Sequence, residues 1–365
     1  MIWMLLMALG LLYLMQQKLY QRYWNKNLKV NAGFTEMSVH EGDASFLREE
    51  ITNDKWLPLP ALEVNLKMAR ALKFTGEAKE NANVTDYSYK RDIFTIFMHQ
   101  KVIRKLSFVC EKRGHYTMNE VEVIGHDFFF RKQYREICPQ RIALYVYPRL
   151  VDTRRITPVC LAISGTVLAQ NRLYPDPFEF AGIREYRPED PMRHINWKAS
   201  ARNTQMMVNQ FDFTTKIKVR MILDTEDSAL VSKETLLEEG IRIAASLALQ
   251  LVKQKMELTV TGNGIEETVL KGGAGHVQEI YRKLACIDLA KQVPTLAQFL
   301  IQERKNIHNE EVCVIISANQ DEKTKEAITS LSYDGCMIIW ICPSYEGEAP
   351  KAVRHKNIQV IAWEV

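Results

Sequence analysis

No C-x-x-C pair, no concentrated block of basic residues and no phosphate-binding G-x-x-x-x-G-K-[ST] loop occur in this 365-residue sequence. Each absence removes a class of function. The seven cysteines, Cys110, Cys138, Cys160, Cys286, Cys313, Cys336 and Cys342, are odd in number and unpatterned, which makes a poor disulfide framework. They predict buried thiols of a reducing compartment, with neither a zinc site nor a reactive thiol. A net charge of only +4, with Lys and Arg spread along the chain, argues against nucleic acid as a partner, since a binder of the phosphate backbone carries a concentrated basic face. Gly272-Gly273-Ala274-Gly275 lacks the Lys and the Ser or Thr of a phosphate cradle, so no nucleotide hydrolysis is expected from this chain. A hydrolase using Glu185 or Asp190 beside His194 finds no support from a nucleophile elbow, a zinc spacing or a carboxylate pair, and the chain is read as non-enzymatic.

Charge is also missing from Met1 to Gln17, and Lys18, Arg22, Lys26 and Lys29 follow before the first acid, Glu36. As a helix that run spans about 25 Å, slightly less than a hydrocarbon core of about 30 Å. Residues 1–24 are therefore predicted to form a membrane anchor, with Tyr13, Tyr20, Tyr23 and Trp24 settling at headgroup level. A secretory signal carries its positive residues before the apolar stretch; here they come after it. The positive-inside bias then places everything beyond Lys18 in the cytoplasm, as a single-pass protein of the cell membrane. A buried core helix or an interfacial helix is the alternative.

Residues 25–150 read as an antiparallel β-sandwich. Tyr116 and Met118, Val121 and Val123, and Ile142, Leu144 and Val146 keep one face apolar at a period of two. Turns are expected at Glu41-Gly42-Asp43, Pro58-Leu59-Pro60, Arg113-Gly114-His115 and Gly125-His126-Asp127. Phe128, Phe129 and Phe130 are expected in the core, and His115 and His126 in turns.

From residue 217 to 365 the pattern alternates strand and helix. The runs 217–224, 256–262, 311–317, 336–342 and 358–363 read as strands, and Leu237, Ile241, Ala244, Ala248 and Leu251 recur as one face of a helix. Further helices are expected near 276–286, 294–304 and 323–331. Such alternation implies a mostly parallel sheet covered on both faces, with ligands gathering beyond the carboxyl ends of the strands, where Asp224 lies.

Residues 151–216 are read as a connecting segment that ends in a charged, aromatic stretch. There Arg184, Arg187, Arg193, Lys198 and Arg202 interleave with Glu185, Glu189 and Asp190, and with Tyr186 and Trp197. Arginine forks suit bidentate carboxylate pairing and stacking on rings, so the segment is expected to clasp the domain junction or to meet an acidic partner. In order, Gly182, Arg184, Tyr186, Pro188, Asp190, Arg193, Ile195, Trp197, Lys198, Ser200, Ala201 and Arg202 resemble the signature of the domain of unknown function 58 family. Glu189 stands where that family usually has Gly.

The resemblance implies an α+β multidomain chain: a transmembrane helix, an antiparallel β-sandwich, and a von Willebrand A-like α/β domain with a mostly parallel sheet. It also implies a MoxR-type AAA+ ATPase as partner, a transglutaminase-like protein as a companion, and a role as a membrane adaptor. In von Willebrand A domains an Asp-x-Ser-x-Ser loop can hold Mg²⁺; here the loop reads Asp224-Thr225-Glu226-Asp227-Ser228, so Asp224, Glu226 and Ser228 are the candidate ligands. If they hold it, the alternative is a metal-dependent adhesion module that grips an acidic protein ligand.

Overall fold

The structure is a computed structural model. It describes residues 2–75, 83–84, 87–171, 180–203, 205–211, 218–227, 234–270, 277–308, 311–348, 350 and 355–365. The chain divides into two compact units, Met1–Arg149 and Leu150–Val365.

The first unit opens with α1 (Ile2–Tyr23), rich in Leu and Met and free of proline, as a stable helix requires. Its 22 residues make it long and apolar enough to cross a membrane. Ile2, Trp3, Met4, Leu6, Met7, Leu9, Leu11, Leu12, Leu14 and Met15 are all exposed, and each gains about 1.5–3 kcal/mol on leaving water. The last turns behave differently. Tyr20 and Trp24 do not face lipid as expected but are buried among the sandwich side chains. The Tyr20 hydroxyl donates to the Pro58 carbonyl at 2.8 Å, and the Trp24 ring stacks on Tyr134 with centroids 6.0 Å apart. Gly125 makes room for that indole, because a Cβ there would run into it.

Ten strands follow: β1 (Leu28–Phe34), β2 (Ser38–His40), β3 (Ala44–Asn53), β4 (Leu59–Ala69), β5 (Leu72–Phe74), β6 (Asn83–Val84), β7 (Tyr87–Ile96), β8 (Gln100–Cys110), β9 (Gly114–His126) and β10 (Gln133–Tyr147). They form one sheet in the order β1-β3-β8-β5 and a second in the order β2-β10-β9-β4-β7-β6. All pairs are antiparallel except β2 with β10. Burial alternates along β3, so Leu47 and Ile51 point inward and join Phe108, Leu62, Val64, Val121, Val123 and Leu144 in one core.

Two expectations for this unit are corrected. Phe128, Phe129 and Phe130 do not fill the core; they are 58%, 54% and 60% exposed on the turn between β9 and β10. Asp127 shapes that turn, its Oδ1 accepting from the amides of Arg131 (2.7 Å) and Lys132 (3.2 Å), and the Phe129 ring lies 5.7 Å from Tyr13 of α1. His115 and His126 lie within β9 rather than in turns; His126 is buried, with its Nε2 2.7 Å from Glu63 Oε1. Nor are all the thiols buried, since Cys286 of the second unit is exposed; none of the seven is joined in a disulfide.

The second unit begins with α2 (Thr153–Asn171), so the stretch read as a connector holds a 19-residue helix. Then come a hairpin of β11 (Phe180–Glu185) and β12 (Met207–Phe211), whose connection contains the one-turn helix α3 (Trp197–Ser200). Next are β13 (Lys218–Leu223), α4 (Glu234–Lys253), β14 (Glu257–Gly262), β15 (Ile265–Leu270), α5 (Val277–Ala285), α6 (Leu296–Glu303), β16 (Glu311–Ile316), α7 (Glu322–Tyr333), β17 (Met337–Ser344) and β18 (Ile358–Glu364). The sheet order is β15-β14-β13-β16-β17-β18, parallel except for β15. Strands buried along their length, as in β16, need helices on both faces, and the buried side of α4 supplies one cover. Arg220 of β13 is buried within reach of three acids: Glu311 (2.8 Å), Glu303 (2.8 Å) and Glu267 (3.1 Å).

Candidate functional site

The sheet reverses its winding between β13 and β16, and Asp224 leaves the end of β13 at that switch point. Its side chain is 2% exposed. Oδ1 accepts from the Asn263 side-chain amide at 2.8 Å and from the Glu226 backbone at 3.1 Å; Oδ2 accepts from the Ser317 hydroxyl at 2.6 Å. Asn263 follows β14 and reaches Asp224 because Gly262 lets the strands approach: a Cβ at 262 would run into the Leu223 carbonyl. The Thr225 amide donates to Asn263 Oδ1 at 2.7 Å, which leaves the Asn263 NH₂ for Asp224 and for the Pro294 carbonyl at 3.0 Å. Ser317 is fixed in turn, its backbone carbonyl accepting from the Trp340 indole at 3.2 Å. Burial pushes the Asp224 carboxyl above the ordinary carboxylate range, and the donations from Ser317, the Glu226 amide and Asn263 oppose that push.

Mg²⁺ asks for about six oxygen ligands in near-octahedral array. Asp224 offers two oxygens already engaged by three donors, and Asn263 presents nitrogen rather than oxygen to it. Glu226 turns its Oε2 to the Leu296 amide, 3.2 Å away, in the first turn of α6. Ser228 lies outside the described residues. Among the described residues no three His, Cys, Asp or Glu side chains are grouped to hold a metal. Among the described residues, this donor set does not fit the cation. Sequence reasoning found Asp224 but missed Asn263, Ser317 and Thr225; the visible signal was only that Ser317 and Asn263 each follow an apolar strand.

The charged signature folds into a clasp on the β11–β12 hairpin. Arg184 grips Asp190 with both terminal nitrogens, at 2.7 and 2.6 Å, and Asp190 also accepts from the Arg187 amide at 2.8 Å. These bonds hold the Asp190 carboxyl below its usual range, Arg184 first, so it is a poor proton acceptor for hydrolysis. Asn196 caps α3, its Oδ1 accepting from the Ala199 amide at 2.9 Å, and the Ser200 hydroxyl accepts from the Met207 amide at 2.8 Å. The Tyr186 amide donates to the Met206 carbonyl at 2.8 Å. Ile195 and Val208 are the buried pins of the clasp. The expected network is thus narrower than its composition: Arg193, Lys198 and Arg202 are exposed and make no ion pair among the described residues. Trp197 is 69% exposed, and Met192, five residues earlier, is exposed as well.

The model of the family described as Protein of unknown function DUF58 matches residues 182–352, from the clasp almost to the last strand, and supports that family assignment. A comparison with curated proteins found no match. Among solved structures, the CARDB domain of PF1109 from Pyrococcus furiosus is 9% identical, covering 33% of this chain and 94% of that one, with a TM-score of 0.21. A non-cellulosomal cohesin from Archaeoglobus fulgidus is 11% identical over 32% of this chain and 91% of its own, with a TM-score of 0.22. The sporulation control protein Spo0M from Bacillus subtilis is 9% identical over 44% and 58%, with a TM-score of 0.20. Likeness at that level carries no functional argument.

Proposed function

We propose that this chain is a membrane-anchored, non-enzymatic interaction protein, an adaptor for a MoxR-type AAA+ ATPase, with a von Willebrand A-like second unit and its soluble part in the cytoplasm. The observation that carries the reading is the clasp. A rigid, internally hydrogen-bonded hairpin displays Trp197, Met192, Arg193, Lys198 and Arg202 to solvent. Trp, Met and Arg are the side chains enriched at protein interfaces, and Trp and Arg dominate their energetics. The three cations suit an acidic partner surface.

Three further observations support parts of the reading. The strand order β15-β14-β13-β16-β17-β18 with one antiparallel strand favours a von Willebrand A-like assignment. The exposed apolar length of α1 has no protein to cover it among the described residues, which favours the bilayer. Lys18, Arg22, Lys26 and Lys29 on one side of it favour a cytoplasmic domain. The closed hydrogen bonding around Asp224 weighs against the metal-dependent adhesion module. Pull-down of the full chain from solubilised membranes tests the adaptor role: an AAA+ ATPase is expected with the wild type and about tenfold less with Trp197→Ala. Repeated capture without any AAA+ ATPase would sink it.

A further inference from the structure

Where α1 meets the sandwich, the first unit forms a half-open cavity of about 530 Å³ lined by Leu19, Tyr23, Lys26, Asp54, Lys55 and Trp56, together with Asn27, Leu57 and His99. That size suits a small-molecule site. Lys55 lies on the turn between β3 and β4, a surface position where a lysine normally reaches into water. Here it is only 9% exposed, and its ammonium has no hydrogen-bond partner among the described residues. The turn leaves it little freedom. The Asn53 amide donates to the carbonyls of Leu57 (3.0 Å) and Phe97 (2.9 Å), and the Lys55 carbonyl accepts from the His99 amide at 3.2 Å.

A buried cation is costly unless it is paired. The one carboxylate among the lining residues, Asp54, faces His99 in the same wall, with its Oδ1 3.1 Å from His99 Nδ1, and makes no ion pair with Lys55 among the described residues. Lys26 lies over the Tyr23 ring at 4.8 Å and adds a second positive charge to the wall. Lys55, a residue of the pocket wall, therefore keeps an unmet demand for an anion. The cavity's other wall is apolar: Leu19 and Tyr23 continue the surface of the exposed helix, and Trp56 is 67% exposed at the rim. An anion with hydrocarbon attached satisfies both walls.

We propose that this cavity seats the phosphate of an anionic phospholipid, with Lys55 as its counter-charge and Leu19, Tyr23 and Trp56 against the lipid's apolar part. The site rests on the reading of α1 as a membrane anchor, because only then does a lipid stand beside it. Lys18, Arg22, Lys26 and Lys29 add attraction to an anionic leaflet. Burial with nothing to offset it pushes the Lys55 ammonium down to about 8, and an arriving phosphate removes that penalty.

The full chain in a maltoside detergent would be titrated with dioctanoyl phosphatidylglycerol, dioctanoyl phosphatidylcholine and inorganic phosphate, with bound molecules counted by native mass spectrometry. The phosphatidylglycerol is expected to bind at least about tenfold tighter than either alternative, as a charge-assisted contact in an apolar wall should. Lys55→Met should erase the preference, Lys55→Arg should keep most of it, and Lys18→Gln should change it less than about twofold by screened attraction alone. Flotation of each variant with phosphatidylcholine vesicles reports anchoring separately. A preference that survives Lys55→Met, no preference in a chain that still floats, or inorganic phosphate binding as tightly as the lipid would each overturn the headgroup site. A chain that does not float removes the anchoring reading itself.

Discussion

Asp224 and Lys55 are two buried ionisable side chains treated in opposite ways. The acid sits where sheets of this winding take ligands, yet every oxygen it owns is spoken for by Asn263, Ser317 and the Glu226 amide. The lysine sits on an ordinary strand turn, yet its ammonium has no hydrogen-bond partner among the described residues. The lesson is that position in a fold says where binding happens in related molecules, whereas an unmatched buried group says where this one still has something to bind. Arg220, which gathers three glutamates, is the fully matched extreme.

That contrast yields three expected outcomes, read as unfolding free energy of the full chain in detergent. Arg220→Met should be the most damaging, lowering stability by about 3–5 kcal/mol, because Glu303 and Glu311 are left buried without their cation. Asp224→Ala should cost about 2–4 kcal/mol by stranding the donors of Asn263 and Ser317, and Mg²⁺ titrated into the wild type should give no heat. A strong Mg²⁺ isotherm, or an indifferent Asp224→Ala, would dissolve the distinction. Lys55→Met should have the smallest effect and the opposite sign, raising lipid-free stability by about 1–2 kcal/mol at pH 7. The lysine's folded pKa is depressed, to about 8 from 10.5, so the unfolded chain binds more protons between those values and wild-type stability rises with pH across that window. The advantage of Lys55→Met should therefore fade from pH 8 toward 10.5. An advantage that grows with pH would mean that Lys55 is paired after all.

From residue 218 on, the parallel strands and the helices of the second unit were legible because buried parallel strands and one-sided helices write their period into local sequence; α2, the β11–β12 hairpin and the edge strand β15 were not read. The run read over 217–224 is Lys218–Leu223, and the helix traced through Leu237 to Leu251 is Glu234–Lys253. The Arg184–Asp190 fork lies inside the stretch read as interleaved charge, but with five cations and three acids there the sequence did not single out that pair. Asn263 and Ser317 were not legible either: they reach Asp224 across 39 and 93 residues, and a distance of that kind leaves no periodic trace. Phe128, Phe129 and Phe130 misled because an aromatic run reads as core by composition, whereas Asp127 holds this one on an exposed turn. Tyr20 and Trp24 misled in the other direction, since the aromatic belt rule has no term for a protein domain waiting at the end of the helix. Lys55 was invisible because a Lys in a polar turn is ordinarily solvated.

The rooting of α1 in the sandwich has a mechanical consequence. Tyr20, in the last turn of the helix, and Trp24, just past its end, belong to the core beside Gly125 and Tyr134. A protease that clipped the chain between Trp24 and Lys26 and let the helix diffuse away would not release an intact globule; it would uncork one, leaving a hollow where two aromatic rings had been. Tilting or pulling on the helix likewise loads the sandwich directly, with no slack tether to absorb the motion.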